Sequence, residues 1–109
     1  MTFQEAFAEI REIFIHSDFH DYYGQLAMQI TMTGQGGGTF YVKFLDGQLF
    51  VEPFDYKQFD ILFIADTEDF LKIARGEMNP VAAYTVGKLR IEGDLGKASE
   101  IQRLVGRSM

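Results

Sequence analysis

The chain has 109 residues, a formal net charge of −6 and no cysteine. This length fits one compact domain whose core needs no disulfide or metal to hold it, so we expect residues 1–109 to form a single domain. The basic residues are scattered along an acidic chain, whereas nucleic-acid binding needs clustered Lys and Arg, so we expect no nucleic-acid partner.

The composition also bears on location. The first residues carry Glu5, Glu9 and Glu12 and lack the basic segment of a signal peptide. No apolar run approaches the roughly 20 residues that a membrane span requires. We therefore expect a soluble protein of the cytoplasm.

The first half of the chain predicts one helix followed by three strands. Thr2 and Glu5 form a T-x-x-E capping box, after which apolar residues recur at helical spacing as far as Phe14. From Leu26 onward, apolar and polar residues alternate, as a half-buried strand requires. The segments that separate or end the strands are GQGGG at 34–38, the hairpin signal Asp46-Gly47, and Pro53.

The second half predicts a strand, two helices, a strand and a last helix. Residues 60–66 are apolar on both faces, which favours a central strand. One helix then runs to Gly76, and a short one begins at Asn79-Pro80. Residues 88–93 predict a strand, and Asp94 starts the final helix. This order predicts an α+β fold in which helices pack on one face of a five-stranded, mostly antiparallel sheet.

Two segments could suggest a catalytic or cofactor site. The stretch HSDFHD places His16 and His20 close to Asp18 and Asp21, which are residue types that bind metals. A polar loop is the simpler interpretation, because a working metal site needs more ligands on a rigid scaffold. The turn at 34–38 lacks the pattern of a phosphate-binding loop. We therefore expect no enzyme activity, no metal and no cofactor.

Several methionines lie among the aromatic residues of the predicted sheet and helices. Met28, Met32 and Met78 are the clearest examples, in a chain with 11 phenylalanines. Two interpretations stay open. The thioethers either fill gaps in a packed core or form the adaptable wall of a cavity for an apolar ligand.

Residues 70–98, FLKIARGEMNPVAAYTVGKLRIEGDLGKA, resemble the signature of the sterol carrier protein 2 (sterol-transfer) family. The hairpin YVKFLDGQLFVEP and the strand DILFIAD also fall where that family has them. The resemblance covers roughly residues 25–105. The matching residues of the signature are Phe70, Leu71, Gly76, Asn79, Pro80, Ala83, Tyr84, Gly87, Lys88, Leu89, Ile91, Gly93, Leu95, Gly96 and Ala98.

The resemblance implies a function as well as a fold. Family members hold fatty acids, acyl-CoA, sterols or other lipids in an apolar tunnel between the sheet and the helices, without catalytic residues. We therefore expect a stand-alone protein that binds a lipid or transfers it between membranes, with transient membrane contact. The alternative hypothesis is an interaction or dimerisation module whose core is fully packed and binds no ligand.

The resemblance also places the ligand between the two layers. The predicted contacts comprise a sheet wall, a helix side and polar groups for a ligand head, for which Tyr84, Gln102 and Arg103 are the candidates. The sheet wall is Met28, Ile30, Phe40, Phe44, Val51, Ile61 and Phe63, and the helix side is Met78, Ala82, Val86, Leu95, Ile101, Leu104 and Val105.

The opposite face of the sheet is apolar too. Side chains alternate between the two faces along each strand. If Phe40, Val42 and Phe44 of the second strand point toward the helices, the residues between them point to the opposite face, and the same alternation applies to the other strands. An apolar outer face suggests a partner, and we predict a homodimer through it. The predicted contacts are Tyr41, Leu45, Phe50, Leu62 and Ile64.

Overall fold

A computed structural model describes residues 1–16 and 24–97 and places helices over one face of a five-stranded sheet. The loop predicted at 16–24 and the body of the predicted last helix lie almost entirely outside these residues. The described helices are α1 (Phe3–Ile15), α2 (Thr67–Ala74) and α3 (Pro80–Thr85). The predicted helix positions are therefore confirmed wherever the structure describes them.

The sheet has the strand order β3-β2-β1-β4-β5. The first three strands pair antiparallel as a meander, and β5 pairs antiparallel with β4. Among the strands of the described residues, only the β1–β4 pair is parallel, which confirms a mostly antiparallel sheet. The strands are β1 (Gln25–Thr33), β2 (Gly38–Leu45), β3 (Gln48–Glu52), β4 (Ile61–Asp66) and β5 (Leu89–Gly93).

Side chains at each helix start satisfy backbone N–H groups that have no partner inside the helix. In the predicted capping box, the Thr2 hydroxyl accepts from the Glu5 amide at 3.2 Å, and the Glu5 carboxylate accepts from the Thr2 amide at 2.9 Å. Because that amide donates to the carboxylate, the pKa of Glu5 is lowered. At α3, the side-chain oxygen of Asn79 accepts from the Val81 amide at 2.8 Å.

One boundary differs from its prediction. The sequence predicts that the turn GQGGG extends through Gly38, but β2 already begins there. A Cβ atom on Gly38 would lie 2.5 Å from Cδ1 of Phe3. Gly38 is therefore a strand residue whose missing side chain makes room for the aromatic ring that begins α1.

The strand register puts one apolar face under the helices. Phe40 lies at its centre, with its ring 5.4 Å from Phe7 of α1 and 6.0 Å from Phe70 of α2, both edge-on. Such aromatic pairs add to the stabilisation that comes from burial alone. The same face carries the buried residues Leu26, Met28, Ile30, Met32, Val42, Phe44, Val51, Ile61, Phe63, Ala65 and Leu89, whereas Ala27 is buried on the opposite face.

The connection from β3 to β4, residues 53–60, crosses the face of the sheet that is opposite the helices. Its Tyr56 ring lies 5.0 Å from the Tyr41 ring, and the Tyr56 amide donates to the Gln29 side chain at 2.8 Å. Lys43 Nζ donates to the Tyr56 hydroxyl at 3.2 Å. The crossover thus covers part of the outer face with residues of the same chain.

The outer-face residues of the predicted homodimer lie where strand alternation puts them. Leu45, Leu62 and Ile64 are half-buried, and Phe50 is 37% exposed. Tyr41 packs under Tyr56 and is therefore shared with the crossover. The homodimer itself stays a prediction.

Candidate functional site

The space between the sheet and the helices is the part of the described fold best suited to a ligand. All seven residues predicted for the sheet wall lie on the inner face and are buried. The register aligns Met28 with Ile61 and Ile30 with Phe63. On the other side of β1, Ile30 also pairs with Phe40. The structure therefore brings the predicted wall together as one continuous surface.

This interior is almost purely apolar. Thr67, at the start of α2, is the one buried polar residue among the described residues. Its hydroxyl donates to the backbone oxygen of Thr33 at 3.0 Å, so its hydrogen-bonding needs are met within the protein. An unpaired polar ligand group would lose hydrogen bonds to water here, whereas an alkyl chain would lose nothing. The described interior thus favours hydrocarbon.

Burial of the inner face is incomplete beside Phe63 and Ile91. Phe40 and Ile61 are fully buried, whereas Phe63 is 8% exposed. Ile91 lies opposite Phe63 in the register and is only half-buried. Met78, just before α3, is also half-buried and packs against the same core. Ile91 therefore reaches solvent at the β5 edge, whereas Leu89 of the same strand is buried, and Leu49 is half-buried at the β3 edge.

The predicted contacts in and after α3 lie at the surface. Tyr84 and Val86 are 47% and 67% exposed, and Ala82 and Leu95 are exposed as well. In this six-residue helix, Ala83 is the residue that turns toward the core, which leaves its neighbours on the outside. The predicted contacts of Ile101, Gln102, Leu104 and Val105 lie outside the described residues. Their contact with a ligand stays a prediction.

Ile91 belongs to the inner face but is missing from the predicted contacts. The alternation of β5 places Leu89 and Ile91 on the side of Phe63, and the register confirms this. That alternation was the available signal, because the sequence alone already marks both residues as inward-facing.

Asp60, just before β4, bonds to residues of β1 and of the segment after β5. Its carboxylate accepts from the Ala27 amide at 2.8 Å and lies 3.1 Å from Lys97 Nζ. Its backbone oxygen accepts from the Asp94 amide at 3.0 Å. Burial would raise the pKa of Asp60, but the Ala27 and Lys97 contacts together lower it. Asp60 therefore ties β1, β4 and the segment after β5 together.

Replacing Asp60 with Asn should lower the free energy of unfolding by about 1–2 kcal/mol at neutral pH, since it removes a charge-assisted contact. The lowered pKa means that the carboxylate stabilises the fold above its ordinary pKa of 3.8. That contribution should disappear as the pH falls through the lower pKa of the folded state. Urea unfolding of both proteins from neutral to acidic pH measures this, and a pH-independent difference would contradict it.

A second ionic contact joins two helices at the surface. The Arg75 guanidinium, at the end of α2, makes two hydrogen bonds to the Glu9 carboxylate of α1, one of them at 2.8 Å. These hydrogen bonds lower the pKa of Glu9 and raise that of Arg75. Both side chains are about one-third exposed. The pair therefore orients α1 against α2 and adds little stability.

The histidine segment is only partly described. His16 lies 3.1 Å from Glu12, one turn earlier on α1. His20, Asp18 and Asp21 lie outside the described residues. Within residues 1–16 and 24–97, no group of three His, Cys, Asp or Glu side chains is placed to hold a metal ion.

Comparison with known proteins identifies the family. The model of the SCP-2 sterol transfer family matches residues 20–106, which is most of the chain. The chain belongs to the SCP-2 sterol transfer family. Membership supports lipid binding or transfer as the general class of function.

The chain is also 31% identical over 86 residues to hydroxysteroid dehydrogenase-like protein 2 of Bos taurus, covering 76% of this chain and 20% of that protein. The SCP-2 chain thus spans about a fifth of this curated relative.

Solved structures share the fold at low sequence identity. Palmitated SCP2L2 from Aedes aegypti superposes with a TM-score of 0.58 at 17% identity, over 94% of this chain and 88% of that one. The inverting sec-alkylsulfatase Pisa1 from Pseudomonas sp. gives 0.64 at 15% identity, over 73% of this chain and 13% of that one. The SCP-2 fold therefore occurs both in proteins of this size and within much longer chains. In the described part of this chain, no helix has the length and apolarity needed to cross a bilayer.

Proposed function

We propose that this SCP-2 chain binds a lipid by its alkyl part, between the sheet and the helices, and catalyses no reaction. The observation that carries the proposal is the apolar interior, in which Thr67 is the one buried polar residue of the described part and is already hydrogen-bonded. Family membership supports the same class of ligand.

Burial of hydrocarbon can supply the affinity. Each buried methylene contributes roughly 0.8 kcal/mol, so an alkyl chain of about 16 carbons gains on the order of 10 kcal/mol before costs. Association and ordering take back an estimated 4 kcal/mol or more. The remainder is at most about 6 kcal/mol, which corresponds to a dissociation constant in the tens of micromolar or weaker. No charged partner inside the protein is needed, so the head group can stay in water.

Two half-buried residues are the proposed entry points for an alkyl chain, Ile91 at the β5 edge and Met78 just before α3. Both pack against the core while keeping contact with solvent. Phe63 lies beside Ile91 in the register and leads inward from this edge. A lipid entering here would keep its head group near the β5 edge and its tail against the sheet wall.

The competing function is a binding module whose interior is filled by its own side chains. The near-complete burial of Met28, Ile30, Phe40 and Ile61, each at most 1% exposed, favours this alternative. It predicts a protein that carries no lipid and uses the outer sheet face for a second copy or another protein.

Lipid identification separates the two functions. We expect organic extraction of freshly purified protein to release a fatty acid or another lipid. We also expect the delipidated protein to take up a fatty acid with a nitrobenzoxadiazole label in vesicle-free buffer. A lipid-free extract together with no uptake would overturn lipid binding and leave the packed module.

Substitution at the proposed entry provides a test at the level of one residue. Replacing Met78 with Glu should weaken uptake of the labelled fatty acid at least about tenfold, because it sets a carboxylate beside the apolar layer. Met78→Leu keeps volume and apolarity and should bind like the wild type. Phe54→Glu adds the same charge to a residue that is 62% exposed and should also bind normally. Equal losses in both Glu variants would contradict entry beside Met78.

A further inference from the structure

The short helix α3 presents apolar side chains to solvent on several sides. Val81, Tyr84 and Val86 are 50%, 47% and 67% exposed. The whole segment 79–87, NPVAAYTVG, contains no charged residue. Surface helices of globular proteins normally turn charged or polar residues toward water. We call Val81, Tyr84, Val86 and the neighbouring Lys88 the α3 surface.

The charged residues that flank this helix are Glu77 before it and Lys88 and Arg90 after it. Between Glu77 and Glu92, the charged residues are Lys88 and Arg90, in a chain whose formal net charge is −6. Arg90 lies 3.6 Å from Glu92. Lys88 is exposed and forms no ion pair with the described residues. The α3 surface thus combines apolar side chains with an available positive charge.

The size of the α3 surface argues against a protein partner. Six helical residues span about 9 Å, whereas a specific protein interface usually buries roughly 800 Å² on each partner. Contact with a bilayer requires a smaller contact area. A few apolar side chains inserted at the headgroup boundary, with a basic residue beside them, give weak and reversible binding. Tyrosine suits this depth because its ring is apolar and its hydroxyl is polar.

We propose that the α3 surface docks on anionic lipid bilayers, with Val81, Tyr84 and Val86 at the headgroup boundary and Lys88 facing lipid phosphates. α3 leads directly into β5, since the Lys88 amide donates to the Ala83 oxygen at 2.8 Å. Docking would therefore bring the edge beside Ile91 to the membrane. The net negative charge of the chain keeps the contact short-lived. The purpose of docking rests on the proposed lipid binding, whereas the docking itself can be measured separately.

A matched pair of variants tests the surface. Val81→Asp and Phe54→Asp each place a new carboxylate at a well-exposed apolar position. Phe54 follows β3, and α3 packs beside β5, at the opposite edge of the sheet. Asp near the start of a helix suits the helix dipole, so Val81→Asp should fold normally. In flotation with phosphatidylcholine–phosphatidylglycerol vesicles, we expect Val81→Asp to bind at least about tenfold more weakly and Phe54→Asp to bind like wild type.

Charge reversal at Lys88 tests the electrostatic contribution to the proposed docking. Each basic residue near an anionic surface contributes roughly a fivefold change in partitioning. Lys88→Glu should therefore remove most of the preference for vesicles that contain phosphatidylglycerol over pure phosphatidylcholine. High salt should have the same effect on the wild type, since it screens exposed charges.

The outcomes separate membrane docking from lipid binding. Vesicle-free uptake of the labelled fatty acid should be unchanged in Val81→Asp and Lys88→Glu. Wild type that ignores vesicles while taking up fatty acid would overturn membrane docking alone, and so would equal losses in the two Asp variants. If wild type ignores vesicles and Val81→Asp changes the sedimentation of the protein, the α3 surface binds protein instead.

Discussion

Replacing Gly93 with Ala is expected to lower the free energy of unfolding by roughly 3 kcal/mol, because it adds both backbone strain and steric overlap. Gly93 has a φ angle of +102°, which residues with a side chain rarely adopt. Its added Cβ would lie 2.4 Å from the backbone oxygen of Asp60. That oxygen also accepts from the Asp94 amide, so moving it away would loosen the β4–β5 pair.

Gly87→Ala provides the matched control for this prediction. Gly87 has a φ angle of +82°, but its added Cβ would meet nothing within 4 Å. Only the strain applies, so we expect a loss of about 1 kcal/mol. Urea unfolding followed by circular dichroism measures both variants. Equal losses at the two positions would show that the contact with Asp60 has no energetic effect.

Truncating Phe40 to Ala is expected to cost about 3–5 kcal/mol, the usual range for removing a buried aromatic ring. Phe40 is fully buried, and its ring lies edge-on to rings of both α1 and α2. The substitution therefore removes the shared contact through which two helices pack on the sheet. Since small domains are stable by only about 5–15 kcal/mol, much of the fold's stability depends on this residue.

Phe54→Ala removes the same ring from a position that is 62% exposed and should change stability by less than about 0.5 kcal/mol. Chemical denaturation of the two variants side by side gives the comparison. A loss below about 1 kcal/mol for Phe40→Ala would mean that the helix layer is not anchored at this ring. The packing on which the lipid-binding proposal depends would then need revision.

Local signals predicted much of the fold. The capping box at Thr2, the Asn79 cap and the glycines at 76 and 87 each act within a few residues, and the structure shows all of them. Alternation along the strands likewise predicted which side of the sheet faces the helices. These features follow from short-range stereochemistry and from the two-residue period of a strand.

Contacts between distant residues could not be predicted in this way. The bonds from Asp60 to Ala27 and Lys97 join residues 33 or more positions apart. Tyr56 contacts Gln29 across 27 positions. In α3, apolarity predicted a role facing the interior, but Tyr84 and Val86 are exposed because Ala83 takes the covered side. Which apolar residues become covered depends on neighbouring elements, which one segment of sequence does not specify.

The crossover at residues 53–60 has a practical consequence for protein engineering. It lies across the side of the sheet that faces away from the helices, where Tyr56 contacts Tyr41, Gln29 and Lys43. The crossover thus supports the sheet from its outer face, whereas the helices contact the inner face mainly through apolar side chains. Redesigning the helix side chains that contact the sheet, for example at Phe7 or Phe70, should repack the contact between helices and sheet without disturbing a single strand-to-strand bond. Under the proposed lipid binding, ligand preference could then be altered from one side of the molecule.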